Sequence, residues 1–486
     1  MNLSAVIGSH PDDAIALVER GRPTTYGALR RQVGQLRGAL VEFGLAPGDR
    51  VAIVSGNDGY FVTAYLAVLG AGLVAVPLNP LSPARELQRE LAAVGVRAVI
   101  VGPAGQPSMA GIDAAEVPAL EHRVFADDLP SAALVPIVDR DASDLAVLIF
   151  TSGTAGSPKA AMLTHGNLLA NIEQMQAHPG RAQDELDVSL GVLPLFHIFG
   201  LNVVLGLSLY AGSSIVLLDR FDALSALDAI TQHGVTILPG APAMWTAWAA
   251  LPEATHEAFA TVRLAASGAA KLSLEVAAQC EQRLGVTISE GYGLTEASPV
   301  VTTASGIAAK PGSIGLPLPG VRLRLVDTDG DDVLVGDAGE IWVQGPNVFA
   351  GYWNDAEATA RALTADGWLR TGDIAVVDDD GALYLVDRAK DLIIVSGFNV
   401  YPAEVEDVLL EHASVDGCAV VGVANPRSGE SVKAYVVLAP GEVVDESGLI
   451  AFCAERLARY KCPEQVTFVD ELPMGLGGKV LRRALR

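Results

Sequence analysis

The ten residues from Phe150 to Lys159, F-T-S-G-T-A-G-S-P-K, constrain this chain more than any other stretch. They follow an apolar, strand-like run, Leu145–Phe150, and end on a lysine. Gly153 and Gly156 let the backbone bend and come close to a ligand. Thr151, Ser152 and Thr154 offer hydroxyl donors, and Lys159 brings a mobile positive charge. The combination suits a polyphosphate, although the spacing is not that of the G-x-x-x-x-G-K-[ST] loop. By itself the segment also fits an ordinary turn after a strand, so the rest of the chain must decide.

With 486 residues the chain is too long for one simple core, and two or more domains are expected. A net charge of −24 argues against a nucleic-acid surface and gives no help at an anionic membrane, which leaves small molecules as the expected partners. The four cysteines, Cys280, Cys418, Cys453 and Cys462, form no C-x-x-C pair, so neither a zinc site nor a disulfide framework is indicated. The first residues lack the basic and long apolar parts of a secretory signal, and R-R-A-L-R at the other end is no peroxisomal address. A cytoplasmic setting is expected. Two uncharged runs, 60–78 and 198–218, have the length of a membrane span, but Gly70, Gly72 and Pro77 break the first and Gly200, Asn202, Gly206 and Gly212 the second. Both read as buried helix and strand packing, with no transmembrane segment, though peripheral contact with a membrane stays compatible.

Helical and strand patterns alternate through the first 300 residues. The run 26–43 places Leu29, Val33, Leu36 and Leu40 on one helical face, and strands are expected at 50–55, 98–101, 145–150, 214–218 and 235–238. That order predicts an α/β fold with stacked, mostly parallel sheets. From 311 to 386 short strands separated by Asp329-Gly330, Gly336-Asp337 and Asp380-Gly381 suggest a small antiparallel, barrel-like piece. After 387 the pattern returns to α+β, with helices at 403–411 and 449–458 and strands at 419–423 and 434–438.

Further motifs follow the hydroxyl-rich segment: L-P-L-F-H-I-F-G (193–200), A-S-G-A-A (266–270), E-G-Y-G-L-T-E (290–296), G-E-I-W-V-Q-G-P (339–346), G-W-L-R-T-G-D (367–373), D-R-A-K-D-L-I-I-V-S-G-F-N-V-Y-P-A-E-V-E (387–406) and G-G-K-V-L-R-R (477–483). In this order the set resembles, nearly end to end, the adenylate-forming superfamily of acyl- and aryl-CoA synthetases, luciferases and carrier-loading adenylation domains. The resemblance implies an ATP-dependent acyl-CoA ligase that makes an acyl-AMP intermediate and passes the acyl group to CoA, releasing AMP and pyrophosphate. It also implies a large N-terminal ATP- and acyl-binding domain, 1–388, hinged to a small mobile C-terminal domain, 389–486. ATP, Mg²⁺ and coenzyme A are the expected cofactors and co-substrates. A monomer and a homodimer both stay open.

The resemblance also distributes roles. Thr151, Ser152, Gly153, Thr154, Gly156 and Lys159 would cradle phosphates, with two departures from the usual pattern. Ala155 replaces a common Thr, and Ala160 stands where Gly is usual, so a positive φ there would be strained. Ala269, Glu290, Gly291 and Tyr292 would line the nucleotide, Tyr292 as a flat face for adenine. Thr295 would donate to the α-phosphate, and Glu296 would carry Mg²⁺. Asp373 and Arg388 would hold the ribose. His197, Asn202, Gly268, Ala269 and Gly293 would face the acid, His197 positioning its carboxylate or gating the channel. Lys479 would stabilise the transition state of adenylation, Lys390 would be the hinge, and Ser396, Gly397 and Phe398 would border the CoA path. Small and apolar groups in N-V-V-L-G-L-S-L-Y (202–210) and at 300–303 favour a medium- or long-chain fatty acid, with an aryl acid as the alternative and a malonate-type diacid third. A carrier protein is the alternative acceptor to CoA.

Overall fold

The computed structural model describes residues 1–126, 132–151, 159–306, 310–388, 391, 393–395, 398–425, 429–457, 459–474 and 480–485. The chain forms two compact units, Met1–Arg322 with Val343–Leu369, and Leu323–Trp342 with Arg370–Arg486.

The first unit holds two sheets. One has six strands in the order His122–Phe125, Ala98–Val101, Arg50–Val54, Val74–Leu78, Leu145–Thr151 and Lys159–Thr164. Its neighbours run parallel until the last pair, where Lys159–Thr164 turns back antiparallel with Thr151 opposite Lys159. Strands buried on both faces read as continuous apolar runs, and V-A-I-V and A-V-I-V are such runs. The expected amphipathic helix is Tyr26–Glu42, begun by Thr25, whose side chain accepts from Ala28 N. Leu29, Val33, Leu36 and Leu40 are all buried, each contributing roughly 1.5–3 kcal/mol.

The other sheet has nine strands: Leu316–Pro317, Val300–Thr303, Ile288–Gly293, Leu264–Ser267, Ile237–Gly240, Val188–Gly191, Ser214–Leu217, Ile15–Glu19 and Arg22–Thr25. Its centre is parallel, so Gly240, Ser267 and Gly293 all lie at carboxyl ends of strands, the usual edge for ligands in open α/β sheets. The strand expected at 235–238 starts two residues later, at Ile237, because Val235 N is taken by the carbonyl of Ile230 at the end of a helix.

The first uncharged run is a helix, Gly59–Gly70, capped by the Asp58 side chain, then the strand Val74–Leu78. In the second, a wide π-helical turn, Phe199–Gly206, leads into a short α-helix, Leu207–Ala211, and the strand Ser214–Leu217. Among the described residues no helix is long and apolar enough to cross a membrane.

A four-stranded sheet, Arg322–Val326, Gly339–Gln344, Leu369–Val377 and Leu383–Arg388, occupies the region expected to be barrel-like. The C-terminal part is α+β as expected. The strands Val415–Asn425 and Gly429–Leu438 and the helices Pro402–Leu410 and Glu446–Ala454 enclose Val405, Leu409, Val420, Ala434 and Leu449. All four cysteines are free thiols.

Asn2, Ser4 and the buried His165 tie the N-terminal segment into the first unit. His165 is 1% exposed, and its Nδ1 accepts from Leu3 N at 3.1 Å. Burial, then the charge of Arg140, pulls this imidazole down to about 4. Between that value and the ordinary 6.5 the unfolded chain binds a proton that the folded chain does not, so stability present above pH 6.5 is lost as pH falls towards 4. The loss should reach up to about 3 kcal/mol. Urea unfolding between pH 7 and pH 4.5 measures it. His165→Gln, which cannot titrate, should flatten the acid side of the profile, and identical slopes would acquit His165.

Candidate active site

The phosphate-cradle motif is the connection of the antiparallel pair Leu145–Thr151 and Lys159–Thr164. Thr151 and Lys159 stand opposite each other at its base, while Ser152, Gly153, Thr154, Ala155 and Gly156 lie outside the described residues. The strain expected at Ala160 is absent. Ala160 is an ordinary strand residue paired with Phe150, its carbonyl accepts from Trp353 N at 2.8 Å, and its φ is not positive. A strand needs no glycine there.

A segment that carries no motif of its own, 347–353, binds this hairpin to E-G-Y-G-L-T-E. Residues 350–353 lie along Lys159–Thr164, with Ala350 N donating to Met162 O and Met162 N to Gly351 O, both at 2.9 Å. Gly351 has φ +120°, and a Cβ there would sit 2.6 Å from Thr359 Cγ2, so both conformation and space demand glycine. This bend delivers Tyr352 to a central place. The Lys159 ammonium lies 5.3 Å from the centre of the Tyr352 ring, and the Tyr352 hydroxyl donates to Glu296 Oε1 at 2.7 Å. Burial, then the adjoining Glu296 charge, pushes the phenol far above its ordinary value and keeps it a donor. Phe349 N donates to Glu296 O and Asn347 Nδ2 to Ala297 O, which fixes the short turn Thr295–Ala297. Lysine, phenol and carboxylate thus form one chain.

Glu290, Gly291, Tyr292 and Gly293 end the strand Ile288–Gly293. Burial raises the Glu290 carboxyl against the hydrogen bond from Leu272 N. A Cβ on Gly293 would come within 2.2 Å of Pro299 O, so the backbone needs glycine at that point. Tyr292 is 7% exposed, which leaves only a small part of its ring open to a base. Ala269 has φ +72°, a left-handed conformation that costs a non-glycine residue on the order of 1–3 kcal/mol and is found mainly where function requires it. Just before it, a Cβ on Gly268 would press on the Phe199 ring at 3.0 Å.

On the acid side, His197 is exposed at the start of the π-helical turn, its Nδ1 accepting from Phe199 N at 3.3 Å. Asn202 is 1% exposed and gives its amide hydrogens to the carbonyls of Leu168 and Ser298. It braces the turn against the Ser298 backbone, which has φ +69°.

In the second unit Asp373 lies opposite Arg388 in the pair Leu369–Val377 and Leu383–Arg388. Phe398 opens the strand Phe398–Val400. Lys390, Ser396, Gly397 and Lys479 lie outside the described residues.

Among the described residues no group of three His, Cys, Asp or Glu side chains could hold a metal ion alone. Glu296 nevertheless suits Mg²⁺, which takes few protein oxygens and completes its shell with phosphate and water. Its Oε1 is oriented by Tyr352, and its Oε2 makes no hydrogen bond among the described residues. The sequence signal missed was the aromatic pair Tyr352-Trp353 directly after Gly351. Tyr352→Phe keeps the ring beside Lys159 and deletes one hydrogen bond. It should raise the Mg²⁺ needed for half-maximal adenylation by about tenfold or more, the scale for removing a residue that orients a metal ligand. Pyrophosphate exchange over a magnesium titration measures this, and an unchanged midpoint would remove Tyr352 from the site.

Residues 3–353 match the family model described as AMP-binding enzyme, and 404–479 match the AMP-binding enzyme C-terminal domain. The chain is 40% identical over 478 residues to a feruloyl-CoA synthase of an Amycolatopsis species, covering 97% of this chain and 95% of that one. It is 36% identical over 514 residues to a long-chain-fatty-acid–CoA ligase of Bacillus subtilis (strain 168), covering 97% and 91%. Among solved structures, ATP-bound MatB from Rhodopseudomonas palustris superposes with a TM-score of 0.93 at 33% identity, over 100% of this chain and 98% of that one. The chain therefore belongs to the AMP-binding family of adenylate-forming enzymes, alongside the acyl-CoA ligases.

Proposed function

We propose that this AMP-forming acid–thiol ligase binds ATP at the hairpin of Thr151 and Lys159 and at the strand end Glu290–Gly293, and activates a carboxylic acid with an apolar body for transfer to CoA. A carboxylate is a poor acyl donor because its leaving group would be oxide. Attack of a carboxylate oxygen on the α-phosphorus of ATP expels pyrophosphate and leaves the acyl carbon joined to AMP, a good leaving group. The thiol of CoA then attacks that carbon and AMP departs. The observation that carries the reading is the Lys159–Tyr352–Glu296 chain, which couples a cation at the base of the phosphate-rich motif to the carboxylate beside Thr295.

In this reading Lys159 and the hydroxyls of its hairpin hold the outer phosphates, and Thr295 donates to the α-phosphate. Glu296 would hold Mg²⁺, which when bound spreads and neutralises phosphate charge. Asp373, which as a carboxylate accepts two hydrogen bonds, suits the ribose diol together with Arg388. His197 orients the acid's carboxylate at the mouth of the acid site; it need not act as a base, since a carboxylate is already ionised at neutral pH. Lys479 supplies charge to the departing phosphate, Lys390 is the pivot of a division at 388/389, and Ser396, Gly397 and Phe398 border the thiol's path. Val203, Leu207, Leu264 and Ala266 line one small cavity with apolar side chains, which suits the body of a fatty or an aryl acid. The feruloyl-CoA and fatty-acyl-CoA relatives support both bodies.

The direct test is AMP release over a panel of carboxylic acids with and without CoA. The expected result is AMP formed in step with a thioester only when CoA is present. CoA-independent transfer to a carrier protein would replace this reading with the carrier-loading one. Lys479→Ala should slow acyl-AMP formation by about two to three orders of magnitude, the scale for deleting a preorganised charge donor, while consumption of preformed acyl-AMP by CoA persists. Near wild-type pyrophosphate exchange in this variant would take Lys479 out of the adenylation step.

A further inference from the structure

A narrow cavity lies between Val203 and Leu207, which follow Asn202 in the helix after His197, and the strands carrying Ile237 and Ala266, the latter two residues before Gly268. Nearly all its lining is apolar, but Arg181 and Gln183 close one side. Arg181 is 6% exposed. Among the described residues no carboxylate pairs with its guanidinium, and its buried Nε has no hydrogen-bond partner. The buried carboxylate of the same segment, Asp187, is already taken by Arg263, whose Nε lies 2.7 Å from Oδ1, and by Thr236. Gln183 is half used. Its Oε1 accepts from Ser208 at 3.2 Å and Ser213 at 3.4 Å, while its Nε2 makes no hydrogen bond among the described residues.

A guanidinium sealed in a protein without an acceptor forfeits several kcal/mol of solvation. Burial pulls Arg181 down only to about 10, so it stays charged at neutral pH. The space beside it offers about 10 Å³ to the centre of a water, room for one oxygen-sized group. Unpaired donors lining an otherwise apolar cavity call for an acceptor brought in by whatever fills it.

Resting on the ligase reading above, we propose that Arg181, with Gln183, is a specificity determinant that receives an oxygen at the far end of the carboxylic acid. The preferred substrates then have an apolar body and a polar tip, such as an aryl acid with a ring hydroxyl or a long acid with a second carboxylate. A plain acid of the same shape leaves the guanidinium unsatisfied and is disfavoured for that reason, as sites built to hydrogen-bond a substrate oxygen reject analogues lacking it.

Matched pairs test this: cinnamate against 4-hydroxycinnamate, and octanoate against octanedioate, assayed by AMP release with CoA on the wild type and on Arg181→Met. In at least one pair kcat/KM should favour the tip-bearing acid by about tenfold to a hundredfold, and the responding pair identifies the tip as hydroxyl or carboxylate. Arg181→Met, which fills similar volume without charge, should cut that ratio to about threefold or less, mostly through KM. Equal use of both members of both pairs by the wild type overturns the proposal whether or not the variant folds, and leaves water as the partner of Arg181. Retention of the wild-type ratio by a folded Arg181→Met overturns it too. Should no acid on the panel release AMP, the ligase reading fails instead. The tip is then judged by melting alone, where hydroxycinnamate or octanedioate must raise the wild-type midpoint above its plain partner.

Discussion

The hydrogen bond from Tyr352 to Glu296 is the contact on which the phosphate side of the site depends. The cradle motif hangs from the edge of a six-stranded sheet, and E-G-Y-G-L-T-E lies at the carboxyl edge of a nine-stranded one. Strand pairing does not join these two edges, but the helix His165–Ala177, which follows the cradle hairpin, reaches across through Asn171, whose side chain exchanges hydrogen bonds with the backbone of Val300. A second connection comes from 347–353, which adds backbone hydrogen bonds to Lys159–Thr164 and ends in a phenol held beneath a lysine and against a carboxylate. A charge that must meet a polyphosphate gains most from being fixed before the ligand arrives, because ordering it afterwards would consume binding energy. The same bend explains Gly351, since no side chain tolerates that φ beside Thr359.

The fold was legible because its signals are local. Continuous apolar runs gave the parallel strands, the spacing of Leu29, Val33, Leu36 and Leu40 gave the first long helix, and glycine punctuation separated helix from strand inside both uncharged runs. The site was legible only where a motif states its own chemistry. Tyr352 escaped because an aromatic residue after a glycine usually signals packing, and its partner Glu296 is 56 residues away. Arg181 escaped for a similar reason: an arginine in G-R-A-Q-D reads as a surface charge, and only the three-dimensional path shows it buried. The strain anticipated at Ala160 failed because a residue can lie next to a tight loop and still belong to a strand. The left-handed backbone occurs instead at Ala269 and Ser298, where no turn dipeptide announces it.

A chain with net charge −24 that handles two anions must solve a local electrostatic problem against its own average. Over distances beyond about 8–10 Å, salt screens the acidic surface, so what an incoming polyphosphate meets is set by the few cations within that range. On the described part of the first unit one such cation is Lys159, positioned by an aromatic face rather than by a carboxylate. The choice has consequences. An ion-paired lysine would have to surrender its partner before meeting phosphate, whereas a lysine over a ring keeps its donors available.

Arg181 applies the same logic to selectivity with the opposite balance of solvation. Lys159 is half-buried beside an aromatic ring; Arg181 is almost wholly buried, and its Nε has no hydrogen-bond partner among the described residues. Hydrophobic walls alone discriminate weakly, since a methylene more or less changes binding by about 1–3 kcal/mol. A buried donor with no internal partner discriminates by penalty, because the wrong acid seals it in unsatisfied. Such a device destabilises the empty enzyme and makes the correct acid a stabiliser of the fold as well as a substrate, so selectivity and ligand-dependent stability become two consequences of one unpaired guanidinium.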